Sequence, residues 1–143
     1  MSRHLFVYGT LRTVARHPMH RVLELNARLV GDAIVQARLY DLGSYPGIVP
    51  SDQPDDTVIG ELYEFFESKT EEALRLLDDY EQMSPRFPEP HQYKRVLINV
   101  SLNTGPTIAA WVYVLANETP QHLRVPASDY LAWKQSQPKR PGQ

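Results

Sequence analysis

Thr57-Val58-Ile59-Gly60-Glu61-Leu62-Tyr63-Glu64-Phe65-Phe66, followed almost at once by Ser68-Lys69-Thr70-Glu71 and a run to Tyr80, carries the change of period that decides the fold. Over 57–66 the residues alternate. Ile59, Glu61, Tyr63 and Phe65 fall on one side and Val58, Gly60 and Leu62 on the other, which is the two-residue repeat of a strand. Beyond 68 the repeat lengthens: Ala73, Leu76, Leu77 and Tyr80 recur at i, i+3, i+4 and i+7, so a helix packs one apolar stripe on the sheet. Ser68 and Glu71 stand at capping-box spacing and predict that this helix starts there and runs to about Tyr80.

Working outward, residues 4–8 predict a buried strand that ends at Gly9. Pro18 interrupts the mixed segment after it, leaving a short helix over 19–25. β-Branched residues over 29–40, then the turn-rich Asp41 to Gly47, then Ile48-Val49 predict two strand pieces joined by a shaped loop. Residues 51–56 are a polar surface loop, and 84–90 is a loop broken by prolines. Strands over 93–102 and 107–116 flank the hairpin turn Asn103-Thr104-Gly105-Pro106; the first alternates, and the second is apolar on both faces and therefore central. A last helical turn is expected over 129–134, and the polar, proline-interrupted 135–143 as a disordered tail. Strands before, after and around one strong helix define an α+β domain over 1–134 whose sheet curls toward a partial barrel.

At 143 residues the chain is long enough for one domain with a real core and a pocket. A net charge of −2 gives no field to draw it onto nucleic acid or an anionic membrane, so a small molecule is the expected partner. The absence of cysteine removes thiolate catalysis, disulfides and Cys-based zinc sites. The few apolar residues before Gly9 are too short for a signal peptide, and no stretch reaches membrane-spanning length, so a cytoplasmic protein is expected. His17 and His20 suggest no metal site, because Pro18 prevents the helix that would align them and no third ligand stands nearby. Arg12, Arg16, His17, His20 and Arg21 form a basic segment read as a solvated helix face or a weak anion site.

Two places carry candidate chemistry. The strand Leu5-Phe6-Val7 ends abruptly at Gly9, leaving backbone N–H groups that an anionic or carbonyl-bearing ligand can approach. The helix ends in Asp78, Asp79 and Glu81, three carboxylates at the pole where the helix dipole disfavours negative charge. By pattern alone two readings stand. Asp78 and Asp79 are solvated while Glu81 pairs with Arg86, Lys94 or Arg95, or one of the three is kept as a proton carrier with a raised pKa. Glu61 is a rival carboxylate, more simply read as hydrogen-bonded at a sheet edge. Arg95 reads as structural, paired with an Asp at the helix end.

Phe6-Val7-Tyr8-Gly9-Thr10-Leu11, His20-Arg21-Val22-Leu23, Gly60-Glu61-Leu62-Tyr63, Leu77-Asp78-Asp79-Tyr80-Glu81 and Tyr93-Lys94-Arg95 occur in one order across residues 5–115. In that order they resemble the γ-glutamylcyclotransferase-like family, and the chain looks closest to its γ-glutamylamine cyclotransferase branch. The resemblance implies a small mixed, partly closed β-barrel with flanking helices. It also implies a substrate loop at Tyr8, Gly9, Thr10 and Leu11, and Glu81 as the glutamate that moves the proton. The implied reaction needs no cofactor: the α-amine of a γ-glutamyl compound attacks its own side-chain amide, closing 5-oxoproline and expelling the amine. Tyr8, Tyr45 and Tyr113 are candidate pocket walls or hydroxyl donors to the substrate. Where relatives commonly carry glycine or serine, this chain has Thr13-Val14-Ala15 and Gln82, which bears on substrate identity more than on reaction type. A noncatalytic small-molecule sensor using the same cavity is the alternative. The identity of the amine and the oligomeric state are not written in the sequence.

Overall fold

The protein was analysed as a computed structural model, described over residues 2–9, 20–43, 45–81, 92–117 and 119–137. Among the described residues, six strands and three α-helices follow in the order β1 (His4–Val7), α1 (His20–Asn26), β2 (Ala27–Asp41), β3 (Pro46–Pro50), β4 (Thr57–Phe65), α2 (Thr70–Tyr80), β5 (Tyr93–Leu102), β6 (Thr107–Leu115) and α3 (Tyr130–Ser136). The sheet runs β3-β2-β4-β1-β6-β5, and β2 also pairs with β5, which closes β2, β4, β1, β6 and β5 into a barrel with β3 as an outer flap. Neighbours pair antiparallel except β1 and β6, which run parallel through Leu5 and Trp111. Among the described residues, no helix is long and apolar enough to cross a membrane.

Alternation sorts side chains into two cores. Phe6, Val58, Leu62, Val112 and Val114 point into the barrel, while Leu5, Val7, Tyr63, Phe65 and Tyr113 face outward and are covered by Leu23 of α1 and Ala73, Leu74 and Leu77 of α2. Gly60 is required by the inner layer: a Cβ there would lie 2.6 Å from Phe6 Cζ and 2.2 Å from the Val7 carbonyl oxygen. The barrel is therefore solid through its middle, and chemistry is confined to a rim.

Several sequence expectations shift. The capping box does not form, because Glu67–Lys69 make a 3₁₀ turn and α2 opens at Thr70 with no side-chain cap. A 3₁₀ turn already satisfies orphan amides through its own carbonyls, so the cap has nothing left to do. Leu76, placed in the apolar stripe, is exposed, and Leu74 takes its place in the core. β6 is flanked by β1 and β5, as its apolar composition predicts. The helical turn expected over 129–134 runs on through Gln135 and Ser136, capped by the Asp129 carboxylate accepting from the Ala132 N–H at 3.1 Å. The basic segment falls largely on 10–19, outside the described residues, including Arg12, Arg16 and His17. His20 is not solvated: it is buried with its ring 5.9 Å from that of Tyr63, edge on.

Candidate active site

The end of β1, the start of β3, the start of β5, the end of β6 and the last turn of α2 meet at one rim of the barrel. Tyr8, just past β1, is buried and donates its hydroxyl hydrogen to the Tyr113 carbonyl of β6 at 2.6 Å. Gly9 follows, and the chain passes so close to β3 that a Cβ here would sit 2.9 Å from Pro46 Cγ. Tyr93 opens β5 and donates its hydroxyl to the Pro46 carbonyl, tying β5 to the same corner. Tyr113 donates to Asp78 Oδ1 at 2.7 Å.

Glu81 is the residue on which α2 ends, with near-helical backbone and its N–H bonded to the Leu77 carbonyl at 2.9 Å. Burial first, and then the negative charge of Asp78, push its carboxyl from 4.5 up to about 7. Its charge is felt by Tyr8, Tyr93 and Tyr113, which places the carboxyl among the three phenols. All three hydroxyl hydrogens are already given to other acceptors, so these oxygens offer Glu81 only lone pairs. Among the described residues no donor or cation stabilises the carboxylate form, and its proton is held more tightly as a result. Burial likewise raises the pKa of all three tyrosines, so they stay neutral.

The ion-pair reading of Glu81 with Arg95 does not hold. Arg95 is instead joined to Asp78 through Nε to Oδ1 at 2.8 Å and Nη2 to Oδ2 at 3.1 Å, the helix-end pairing expected for it. Lys94 points outward and is exposed, and Arg86 lies outside the described residues. Asp78 is thus not solvated. Glu61 is buried, but β4 lies between β1 and β2, with Val7 opposite it on one side and Asp32 on the other, so it is not at a sheet edge.

Of the expected substrate contacts, Tyr8 and Tyr113 gather beside Glu81 and Gly9 follows Tyr8 against Pro46, whereas Thr10 and Leu11 lie outside the described residues. Tyr113 is committed to Asp78 and cannot also donate to a substrate. Tyr45 is exposed at the rim, 6.3 Å from the Tyr93 ring, with its hydroxyl given to Gln92 Oε1 at 2.8 Å. Tyr93 is the member that sequence reasoning missed. Its signal was the two-residue spacing that puts it on one strand face with Arg95.

The closed mixed barrel is the fold this chain shares with solved AIG2-like structures. The family described as "Gamma-glutamyl cyclotransferase, AIG2-like" matches residues 5–134. A Vibrio cholerae serotype O1 protein named "Putative gamma-glutamylcyclotransferase" is 30% identical over 132 residues, 91% of this chain and 96% of that protein. Among solved structures, an AIG2-like protein from Mus musculus is 28% identical with a TM-score of 0.63, covering 83% of this chain and 80% of its own. YkqA from Bacillus subtilis is 24% identical with a TM-score of 0.65, covering 90% of this chain but only 39% of that longer protein. The chain belongs to the AIG2-like gamma-glutamyl cyclotransferase family.

Proposed function

We propose that the protein converts a γ-glutamyl-amine or another γ-glutamyl conjugate to 5-oxoproline and the free amine, with Glu81 as general base and then general acid. The α-amine nitrogen forms a bond to the side-chain amide carbon, and the bond from that carbon to the leaving nitrogen breaks. Glu81 takes a proton from the attacking nitrogen and returns it to the departing one, so the reaction balances without water or cofactor. Nucleophile and electrophile belong to one molecule, and holding it folded supplies much of the rate advantage.

The observation that carries this reading is the placement of Glu81 among Tyr8, Tyr93 and Tyr113, whose hydroxyl hydrogens are all given elsewhere, a setting that raises its proton affinity. An ordinary α-amine near 8 and an ordinary glutamate near 4.3 leave about 3.7 units, or about 5 kcal/mol, against direct proton transfer. With the Glu81 carboxyl at about 7, the remaining gap is about one unit, or about 1.4 kcal/mol. The phenol oxygens of Tyr8 and Tyr93 are suited to accept from the substrate ammonium, and Tyr45 forms part of the outer wall. The Gly9 loop, continuing through Thr10 and Leu11, would hold the α-carboxylate or the developing oxyanion through its amides. The site would serve a small molecule in the cytoplasm.

The test is to incubate wild type and Glu81→Gln with a panel of γ-glutamyl-amines, γ-glutamyl amino acids and glutathione, and to follow 5-oxoproline by mass spectrometry. Product from wild type and none from the variant is expected. Turnover by the variant at the wild-type rate would remove Glu81 from its role, and no product from wild type with any compound would remove the activity.

A further inference from the structure

Asp78 is the group beside Glu81 whose placement the reaction itself does not explain. It lies three residues before Glu81, a spacing that sets side chains next to each other on one helix face. Two carboxylates there, at the negative pole of α2, repel each other and the helix carbonyls. An isolated Asp78 would respond by turning into solvent. Here it is held by both oxygens: Arg95 grips Oδ1 and Oδ2 as a fork, and the Tyr113 hydroxyl adds a second donor to Oδ1. Arg95 is itself oriented, with its guanidinium carbon 4.5 Å from the centre of the Trp111 ring. The Asp78 charge is thus fixed by two strands, β5 and β6, that also supply two of the three phenols around Glu81.

We propose that Asp78, Arg95 and Tyr113 form a positioning unit that holds one negative charge at a set place beside Glu81 and thereby governs how readily Glu81 keeps its proton. The inference rests on the reading of Glu81 as proton carrier. Among the described residues, the groups facing Glu81 are Asp78 from α2, Tyr8 from beyond β1, Tyr93 from β5 and Tyr113 from β6, with Arg95 behind Asp78. The three phenols are neutral, so Asp78 is the charged neighbour, among the described residues, through which the affinity is tuned. Its direction agrees with the rise at Glu81, where the Asp78 charge acts in the same sense as burial. Arg95 moderates that charge, and the two partners therefore work in opposite directions.

A salt bridge that merely anchored α2 to the barrel would make both single variants fail alike. The tuning unit instead predicts shifts of opposite sign. Protein labelled with 13C at the glutamate carboxyls is titrated by NMR, and the Glu81 resonance is identified by its absence in Glu81→Gln. In Asp78→Asn the Glu81 midpoint should fall by about one unit, a roughly tenfold loss of proton affinity. In Arg95→Met, which keeps the aliphatic length over Trp111 but frees the Asp78 charge, the midpoint should rise. Arg95→Lys, keeping the charge without the fork, should lie between wild type and Arg95→Met. Shifts of the same sign in the Asp78 and Arg95 variants, or an unmoved midpoint in either folded variant, would overturn the proposal. The titration needs no turnover, so its failure is distinct from a failure to form 5-oxoproline. If turnover is present, the acid limb of its pH profile should move with the NMR midpoint in each variant.

Discussion

Replacing Glu81 by glutamine should make the protein more stable at alkaline pH while removing its chemistry. The carboxyl titrates near 4.5 when unfolded and at about 7 when folded. Below 4.5 both states are protonated and burial carries no ionic cost. Between 4.5 and 7 the unfolded chain releases its proton while the folded one retains it, so stability falls as pH rises. Above about 8 the loss levels off at about 3 kcal/mol, the free energy of a shift of this size at 1.36 kcal/mol per unit. Glutamine has no proton to lose. It leaves an amide in place of the carboxyl, but that change is the same at every pH and cancels in a comparison. The stability difference between Glu81→Gln and wild type should therefore move by about 2.5 kcal/mol in favour of the variant between pH 5 and pH 8. For a domain of this size that is roughly 8 °C in Tm. Urea unfolding of both proteins at the two pH values measures it directly. A difference independent of pH would show that Glu81 is not sheltered in the folded state, and the argument for proton transfer would go with it.

Leu77→Ala, at a fully buried position of α2 against the barrel, should cost about 2 to 5 kcal/mol in denaturant unfolding and loosen the turn that carries Glu81. Gly9→Ala should push the β1 end away from Pro46, at a cost of about 1 to 3 kcal/mol, and raise KM for any γ-glutamyl substrate; unchanged KM would separate this loop from binding. Asp41 accepts from Lys134 Nζ and the Tyr130 hydroxyl, each at 2.9 Å, and these bonds hold its pKa low although burial, the largest influence, acts to raise it. Stability from this contact is present at neutral pH and lost as pH falls through the lowered Asp41 value. Lys134→Met should then cost at most about 1 kcal/mol at pH 7, given the exposure of Lys134, and progressively less in acid; a cost constant with pH would contradict the assignment.

Local periodicity made much of this fold legible. The strands at 57–65, 93–102 and 107–115 and the helix ending at Tyr80 follow from spacing alone, because their neighbours in sequence supply the alternation or the stripe. What spacing does not encode is who closes on whom. The sequence pointed to a partial barrel, and closure depends on β2 running 15 residues, long enough to reach both β4 and β5. Glu61 misled for the same reason: nothing around it says that β4 has a strand on either side. Glu81 could be picked out by resemblance and by its unfavourable place at a helix end. Tyr8 and Tyr113 could be named as candidate pocket walls, but not which hydroxyls are already committed, and Tyr93, brought to them from a distant strand, looks in sequence like an ordinary core tyrosine.

The parallel contact of the first strand with the last has a temporal consequence. Ser2 Oγ donates to the Ala109 carbonyl, Trp111 Nε1 donates to the Ser2 carbonyl, and Tyr8 reaches a carbonyl 105 residues away. Until the ribosome has released the segment past Leu115, the amino-terminal strand lacks one of its two flanking partners, and Phe6 waits without Val112 and Val114 beside it in the barrel interior. Contacts so distant along the chain make folding slow. Chains cut short before β6 should accordingly be prone to clump, and chaperone demand should persist until β6 has emerged.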